Sequence, residues 1–287
     1  MKRSNNQTTR RQFLSTSTTA IVGLPFLRVG HLFSESAKKQ RWGIILNTVK
    51  NEMKVDYRGT LERLAEMGYR YLEGGSYGDS TEDYYRFTKK LGLKTIIGGT
   101  SMSNLQESLD QYIERGNQLH YKYITCYWPW MSDAKSLTKR ECMETAERLN
   151  TIGKRITEEG FGFTWHNHDK EFAEVEGKTA FDWLLQNTDP QWVNVQMDTY
   201  WVRKGNHEPV DLIRKYPGRF KLLHIKDMDN TPERGMTCAG AGNIDFKAIL
   251  ELWELAGVDY ATVENERATD GIPCAQTSIT HLKSIAL

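Results

Sequence analysis

Four short apolar runs in the second half of the chain break off at the same kind of residue. Gly162-Phe163-Thr164-Trp165 stops at His166-Asn167-His168-Asp169-Lys170-Glu171. Val193–Met197 leads into Asp198, Phe220–Leu223 into His224, Lys226 and Asp227, and Tyr260–Val263 into Glu264 and Glu266. A packed strand has no structural need for such an ending, because buried imidazoles and carboxylates cost free energy unless paired or coordinated. Four matched endings therefore point to parallel strands that deliver their last residues to one shared site.

The rest of the chain supplies the other strands. Apolar runs predict strands near 42–49, 69–73, 94–97 and 121–127, then 162–166, 193–197, 221–225 and 260–263. Helical periodicity falls between them, near 57–67, 81–91, 103–115, 138–159, 180–186, 209–215, 246–255 and 275–285. Gly68, Gly92, Gly116, Gly160 and Gly257 follow five of these helices. Glycine there suits the left-handed cap that other residues adopt only at a cost. Asn243, ahead of Ile244-Asp245-Phe246, is placed to cap the helix that starts there.

Eight strand–helix units in roughly 250 residues is the count of an α/β parallel eight-stranded (β/α)8 TIM barrel. A doubly wound open sheet fits less well, because no G-x-G-x-x-G follows the first strand. No low-complexity linker divides residues 41–287, so they form one domain. Residues 1–40 are set apart: Thr9-Arg10-Arg11-Gln12-Phe13-Leu14 is a twin-arginine pattern, followed by an apolar stretch through Leu27 and small residues around Ser34–Ala37. They look like a leader for export to the periplasm by the twin-arginine route, too short and polar for a stable membrane span. Cargo of that route folds before export, so Cys126, Cys142, Cys238 and Cys274, which lack zinc-type spacing, are expected mostly free and packed. A net charge of +1 argues against a nucleic-acid partner, and the sequence is compatible with a homo-oligomer.

In a parallel barrel every strand C-terminus emerges on one face. His166, Asp198, His224 and Glu264 would then converge as a mixed nitrogen–oxygen set, suited to one divalent ion such as Mn, Co, Zn or Mg. His168 lies two residues beyond His166, on the same side of an extended chain, and is a candidate acid/base or substrate contact. Lys226 stands in the same relation to His224 and could stabilise a developing oxyanion or pair with Asp227 or Glu266. Glu73 ends the second strand before Gly74-Gly75 and is a further acid/base candidate. Glu171 and Glu266 could contact substrate hydroxyls, and Glu171 could instead orient a histidine. Trp128, Trp130 and Trp201 follow strand ends, where an aromatic face can stack on a sugar ring. Gly240-Ala241-Gly242 reads as a tight turn, too short for a phosphate loop.

W-H-N-H-D-K-E-F, M-D-T-Y-W-V-R-K-G, L-L-H-I-K-D with G-A-G-N-I-D-F, and T-V-E-N-E occur in that order. Together they resemble the sugar phosphate isomerase/epimerase family of xylose-isomerase-like TIM barrels, over about residues 42–285. The resemblance implies one divalent metal at the top of the barrel and chemistry next to the carbonyl of a small carbohydrate. Carried over by position, the ligands are His166, Asp198, His224 and Glu264. The chain departs from many ketose epimerases of the superfamily, which have glutamate where His166 stands, and this argues against a plain two-glutamate epimerase. Gly98-Gly99-Thr100 stands where many relatives have histidine, which disfavours a multi-zinc nuclease. The H-N-H-x-x-E-F pattern also resembles exported lyases acting on 3-keto-glycosides. The expected enzyme is thus an isomerase or epimerase, with a lyase or dehydratase as the alternative and a sugar-binding module as the non-catalytic one.

Overall fold

The computed structural model describes residues 42–132 and 136–286. The twin-arginine segment lies outside the described residues. Eight parallel strands close a barrel: β1 (Trp42–Ile45), β2 (Tyr71–Glu73), β3 (Lys94–Ser101), β4 (Tyr123–Trp128), β5 (Gly162–His166), β6 (Asn194–Asp198), β7 (Phe220–Ile225) and β8 (Tyr260–Val263). Each neighbours the next around the ring, and β8 pairs with β1. Helices α1 (Lys50–Met67), α2 (Thr81–Lys90), α3 (Met102–Leu119), α4 (Lys139–Glu158) and α5 (Ala180–Asn187) follow the first five strands. Then come α6 (Thr199–Lys204), α7 (Pro209–Lys215), α8 (Phe246–Glu251), α9 (Trp253–Ala256) and α10 (Gly271–Ile285). Among the described residues no helix is long and apolar enough to cross a membrane.

Strand alternation decides what reaches the barrel interior. In β5 the Trp165 ring turns outward onto Phe181 of α5, with centroids 5.3 Å apart. Thr164 turns inward and meets Thr125 of β4 at 2.8 Å. His166 shares the inward side with Thr164. Register then levels the later strands: Asp198 lies beside His224, and Thr262 beside His224. Tyrosine rings gather at the strand starts, Tyr71 and Tyr260 4.9 Å apart with Tyr123 beside them.

Local chemistry sets the helix ends. Ser80 caps α2 by accepting from the Asp83 amide at 3.1 Å, and Thr138 with Glu141 forms a reciprocal box at the start of α4. Gly68, Gly92, Gly160 and Gly257 all take positive φ after their helices. Gly116 does not: α3 continues to Leu119, and His120 takes the left-handed cap at φ 59°. A Cβ at Gly116 would lie 3.1 Å from the Phe161 ring, so close packing is what asks for glycine there. Asn243 is not the cap of α8 either. Asp245 accepts from the Ala248 amide at 3.0 Å, while the Asn243 side chain donates to Asn230 and Asp229.

The cysteine expectation divides. Cys126 and Cys142 are free and buried, but Cys238 and Cys274 form a disulfide across 36 residues, with Cα atoms 5.3 Å apart. The segment after β7 folds back on the first turns of α10, where the Ala239 amide also donates to Ser278 Oγ at 3.1 Å. That proximity is tertiary and leaves no trace in cysteine spacing.

Candidate metal centre

His166, Asp198, His224 and Glu264 meet at the C-terminal mouth of the barrel. One donor atom from each lies within 4.8 Å of the others, and all four residues are buried. His166 Nε2 is 3.7 Å from Asp198 Oδ2, and His224 Nδ1 is 2.8 Å from Glu264 Oε2. Asp198 Oδ2, His224 Nδ1 and Glu264 Oε2 have no hydrogen bond of ordinary geometry. Buried polar atoms are seldom left so. Two imidazole nitrogens and two carboxylate oxygens aimed at one point are what a divalent cation asks for, so the donor set fits a metal.

Asp198 and His224 are each held by a neighbour. Asp198 ends β6 and also caps α6, its Oδ1 accepting from the Trp201 amide at 2.9 Å, which leaves Oδ2 for the site. Asn167 ties β5 to β6 through its Oδ1, which accepts from the Asp198 amide at 3.0 Å. Thr199 Oγ1 donates to the carbonyls of His224 in β7 and of Lys226 just beyond it, and accepts the Lys226 amide at 3.1 Å. Glu73 lies under His224, both carboxylate oxygens 3.0 Å from Nε2.

Glu73, the further acid/base candidate, has a set of partners of its own. It is fully buried inside the barrel and saturated by donors: Tyr127 Oη at 2.8 Å, Gln196 Nε2 at 2.9 Å and Thr262 Oγ1 at 2.6 Å, besides His224. Burial alone would raise its pKa, but His224 and the hydrogen bonds from Thr262 and Gln196 hold it below the usual carboxylate value. A carboxylate so placed orients His224 and leaves Nδ1 to face the site. Burial disfavours a charged His224, yet Glu73 and Glu264 outweigh it and raise its pKa to about 10. Burial raises Asp198 to about 6 despite Lys226.

Lys226 is almost fully buried. Its Nζ lies 3.0 Å from Asp198, 2.8 Å from Glu264 and 2.7 Å from Glu266. It thus pairs with Glu266 and not with Asp227, whose Oδ2 instead accepts from the amides of Gly240 and Gly242 and fixes the expected tight turn. His168 projects beside the donors, its ring 4.8 Å from His166, 5.1 Å from Trp128 and 5.4 Å from Trp201. Burial lowers its pKa to about 4, leaving a neutral imidazole at neutral pH. Glu171 is fully buried, and one of its carboxylate oxygens accepts from the His168 backbone amide.

Asn167, Gln196, Thr199, Thr262 and Tyr127 were not singled out by sequence as site residues. The signal existed for two of them: Gln196 and Thr262 stand two residues before Asp198 and Glu264, on the same inward side. Asn167 and Thr199 act across strands, which only the register reveals.

A profile of the xylose isomerase-like TIM barrel family matches residues 61–285. The chain belongs to that family. Within the xylose isomerase-like barrels, an inosose dehydratase of Salmonella agona is 30% identical over 131 residues, 40% of this chain and 42% of that relative. The chain therefore aligns with less than half the length of that curated relative. A sugar phosphate isomerase/epimerase from Parabacteroides distasonis superposes with a TM-score of 0.73 at 23% identity, over 86% of this chain and 96% of the other. The IOLI protein, solved with a zinc atom, superposes with a TM-score of 0.67 at 15% identity, over 86% and 98%. The structural likenesses speak for the fold.

Proposed function

We propose that the protein is a divalent-metal-dependent enzyme that removes a proton next to the carbonyl of a sugar or cyclitol. The observation that carries this is the His168 imidazole packed 4.8 Å from the His166 ring beside a buried four-donor metal set. A divalent ion held by His166, Asp198, His224 and Glu264 would supply Lewis acidity to a substrate carbonyl and its neighbouring hydroxyl. Mn, Co and Zn suit two imidazoles and two carboxylates better than Mg does. His168 accepts the α-proton, since an uncharged imidazole can act as base at neutral pH. Lys226, its charge fixed by three carboxylates, steadies negative charge on the substrate oxygen. Trp128 and Trp201 flank His168 and offer faces to the apolar side of a sugar ring, and Glu266, a quarter exposed, can accept from a hydroxyl.

Return of the proton gives isomerisation or epimerisation. A second reading, loss of a β-substituent, gains from Glu73: with that carboxylate inside the barrel, the mouth loses the expected second base. A single base suits a 1,2-shift on one face, or elimination, as the name of the inosose dehydratase relative suggests. Incubating the Mn-, Co- or Zn-loaded protein with inosose, D-xylulose and a 3-keto-glycoside in deuterated water separates these outcomes. Deuterium at the α-carbon supports proton abstraction, an unsaturated product supports elimination, and binding without exchange or turnover supports a sugar-binding module.

We also propose that the protein works in the periplasm. The twin-arginine run supports this, and so does the Cys238–Cys274 disulfide, since oxidising compartments are where such bonds persist.

A further inference from the structure

The His168 imidazole has a problem of orientation. Its Nδ1 is buried without a hydrogen-bond partner among the described residues. A ring that is to meet a substrate carbon must therefore be aimed by its backbone and by packing. Packing comes from Trp128 and Trp201, which stand 5.1 and 5.4 Å from the ring. Trp201 is held independently, by the hydrogen bond of its amide to Asp198. Trp128 ends β4 at the mouth, and the loop it leads into has to be registered against the turn after β5.

Glu171 makes that registration. It sits in the short 3-10 turn Asp169–Phe172, directly after His168, and is fully buried. One carboxylate oxygen accepts the His168 amide at 2.5 Å. The other accepts from Nε1 of Trp130, itself buried and two residues beyond Trp128. Two N–H donors thus face one side chain from opposite loops. Only a carboxylate accepts on both oxygens, because an amide must turn an N–H toward one donor. Burying a carboxylate in so apolar a place is costly, and satisfying two loops at once explains why this residue type stands there.

We propose that Glu171 is the positioning residue of the site: it locks the His168 backbone to Trp130 and so sets the imidazole between Trp128 and Trp201. The inference rests on the reading of His168 as the base. Glu171 itself touches no substrate atom; it acts through the turn and the aromatic wedge.

The test uses the full metal-loaded protein and two readouts. The first needs no substrate: the rate at which diethyl pyrocarbonate modifies each histidine, read by peptide mass spectrometry. Glu171→Gln should speed modification of His168 several-fold while His207 and His281 react as in the wild type. Trp130→Phe, which cuts the same link without touching the carboxylate, should shift His168 in the same direction. In the double variant E171Q/W130F the amide can turn its carbonyl to the His168 amide, but the link to Trp130 stays cut, so reactivity should match that of Trp130→Phe and not rise further. The second readout is deuterium exchange into inosose, where E171Q should lower turnover by about 10- to 100-fold with KM and metal affinity little changed. Wild-type His168 reactivity in both single variants would overturn the proposal, as would a uniform rise at every histidine or a parallel loss of metal affinity. If the wild-type protein exchanges no inosose proton, or if His168→Gln keeps full exchange, the proposed function is at fault, and the modification rates still decide the positioning claim.

Discussion

Glu73 and His224 face each other across the barrel interior, with both carboxylate oxygens 3.0 Å from the same imidazole nitrogen. The pair joins β2 to β7 below the mouth and determines which nitrogen of His224 the site receives. Replacing Glu73 by Gln keeps the shape but weakens that orientation. Metal affinity should fall by about 10- to 100-fold, as for other carboxylates behind a metal-bound histidine. Calorimetric titration with Co(II) checks this; unchanged affinity would mean that Glu73 only fills the barrel.

Lys226 is the cation that the mouth carboxylates share. Lys226→Met leaves Asp198, Glu264 and Glu266 without it, at a cost of about 3–5 kcal/mol for a broken buried pair. A divalent ion relieves part of that cost. Adding Mn(II) should therefore raise the Tm of the variant by more than that of the wild type, while turnover falls about 100-fold. Equal thermal shifts would show that Lys226 does not share its charge with the metal site.

His168 gives a pH signature. Its folded pKa is lowered to about 4 by burial, whereas an unfolded histidine titrates near 6.5. Between those values the unfolded chain binds a proton that the folded one does not, so stability falls as pH drops from about 6.5 to about 4. His168→Gln should lose less stability than wild type between pH 7 and pH 5, measured by urea unfolding of the apo-protein. Parallel losses would mean that the imidazole is protonated in the fold.

The Cys238–Cys274 bond closes a loop that contains Glu264 and β8. Asn265, between Glu264 and Glu266, has its side-chain amide 3.8 and 3.6 Å from the two sulfurs. Cys238→Ala/Cys274→Ala should destabilise the protein by about 3 kcal/mol, seen as a lower urea midpoint, with a steeper slope because the unfolded chain is no longer cross-linked. A midpoint equal to that of the oxidised wild type would show that the bond contributes nothing to stability.

Much of this was legible in the sequence because the barrel repeats a simple rule. Strand ends at His166, Asp198, His224 and Glu264 stood out as ligand types after apolar runs, and β5, α7 and β8 begin and end where periodicity placed them. What sequence missed depends on distance across the fold. Glu73 is the last residue of β2 whereas Glu264 lies one residue beyond β8, and Glu73 sits below His224 instead of at the rim. Helix α6 escaped notice because its six residues are too few for periodicity, and its cap, Asp198, had already been read as a ligand. Glu171 could be read two ways until Trp130 was found beside it. The disulfide joins segments that meet only once the last helix has docked.

The account stands on one cation shared by four side chains. Elemental analysis of the purified protein, paired with Co(II) titration of wild type and Asp198→Ala, tests that most directly. The expected result is one ion per chain in the wild type and loss of binding in the folded variant. Full-occupancy binding by Asp198→Ala, or a wild-type protein that takes up no Mn, Co or Zn, would contradict it.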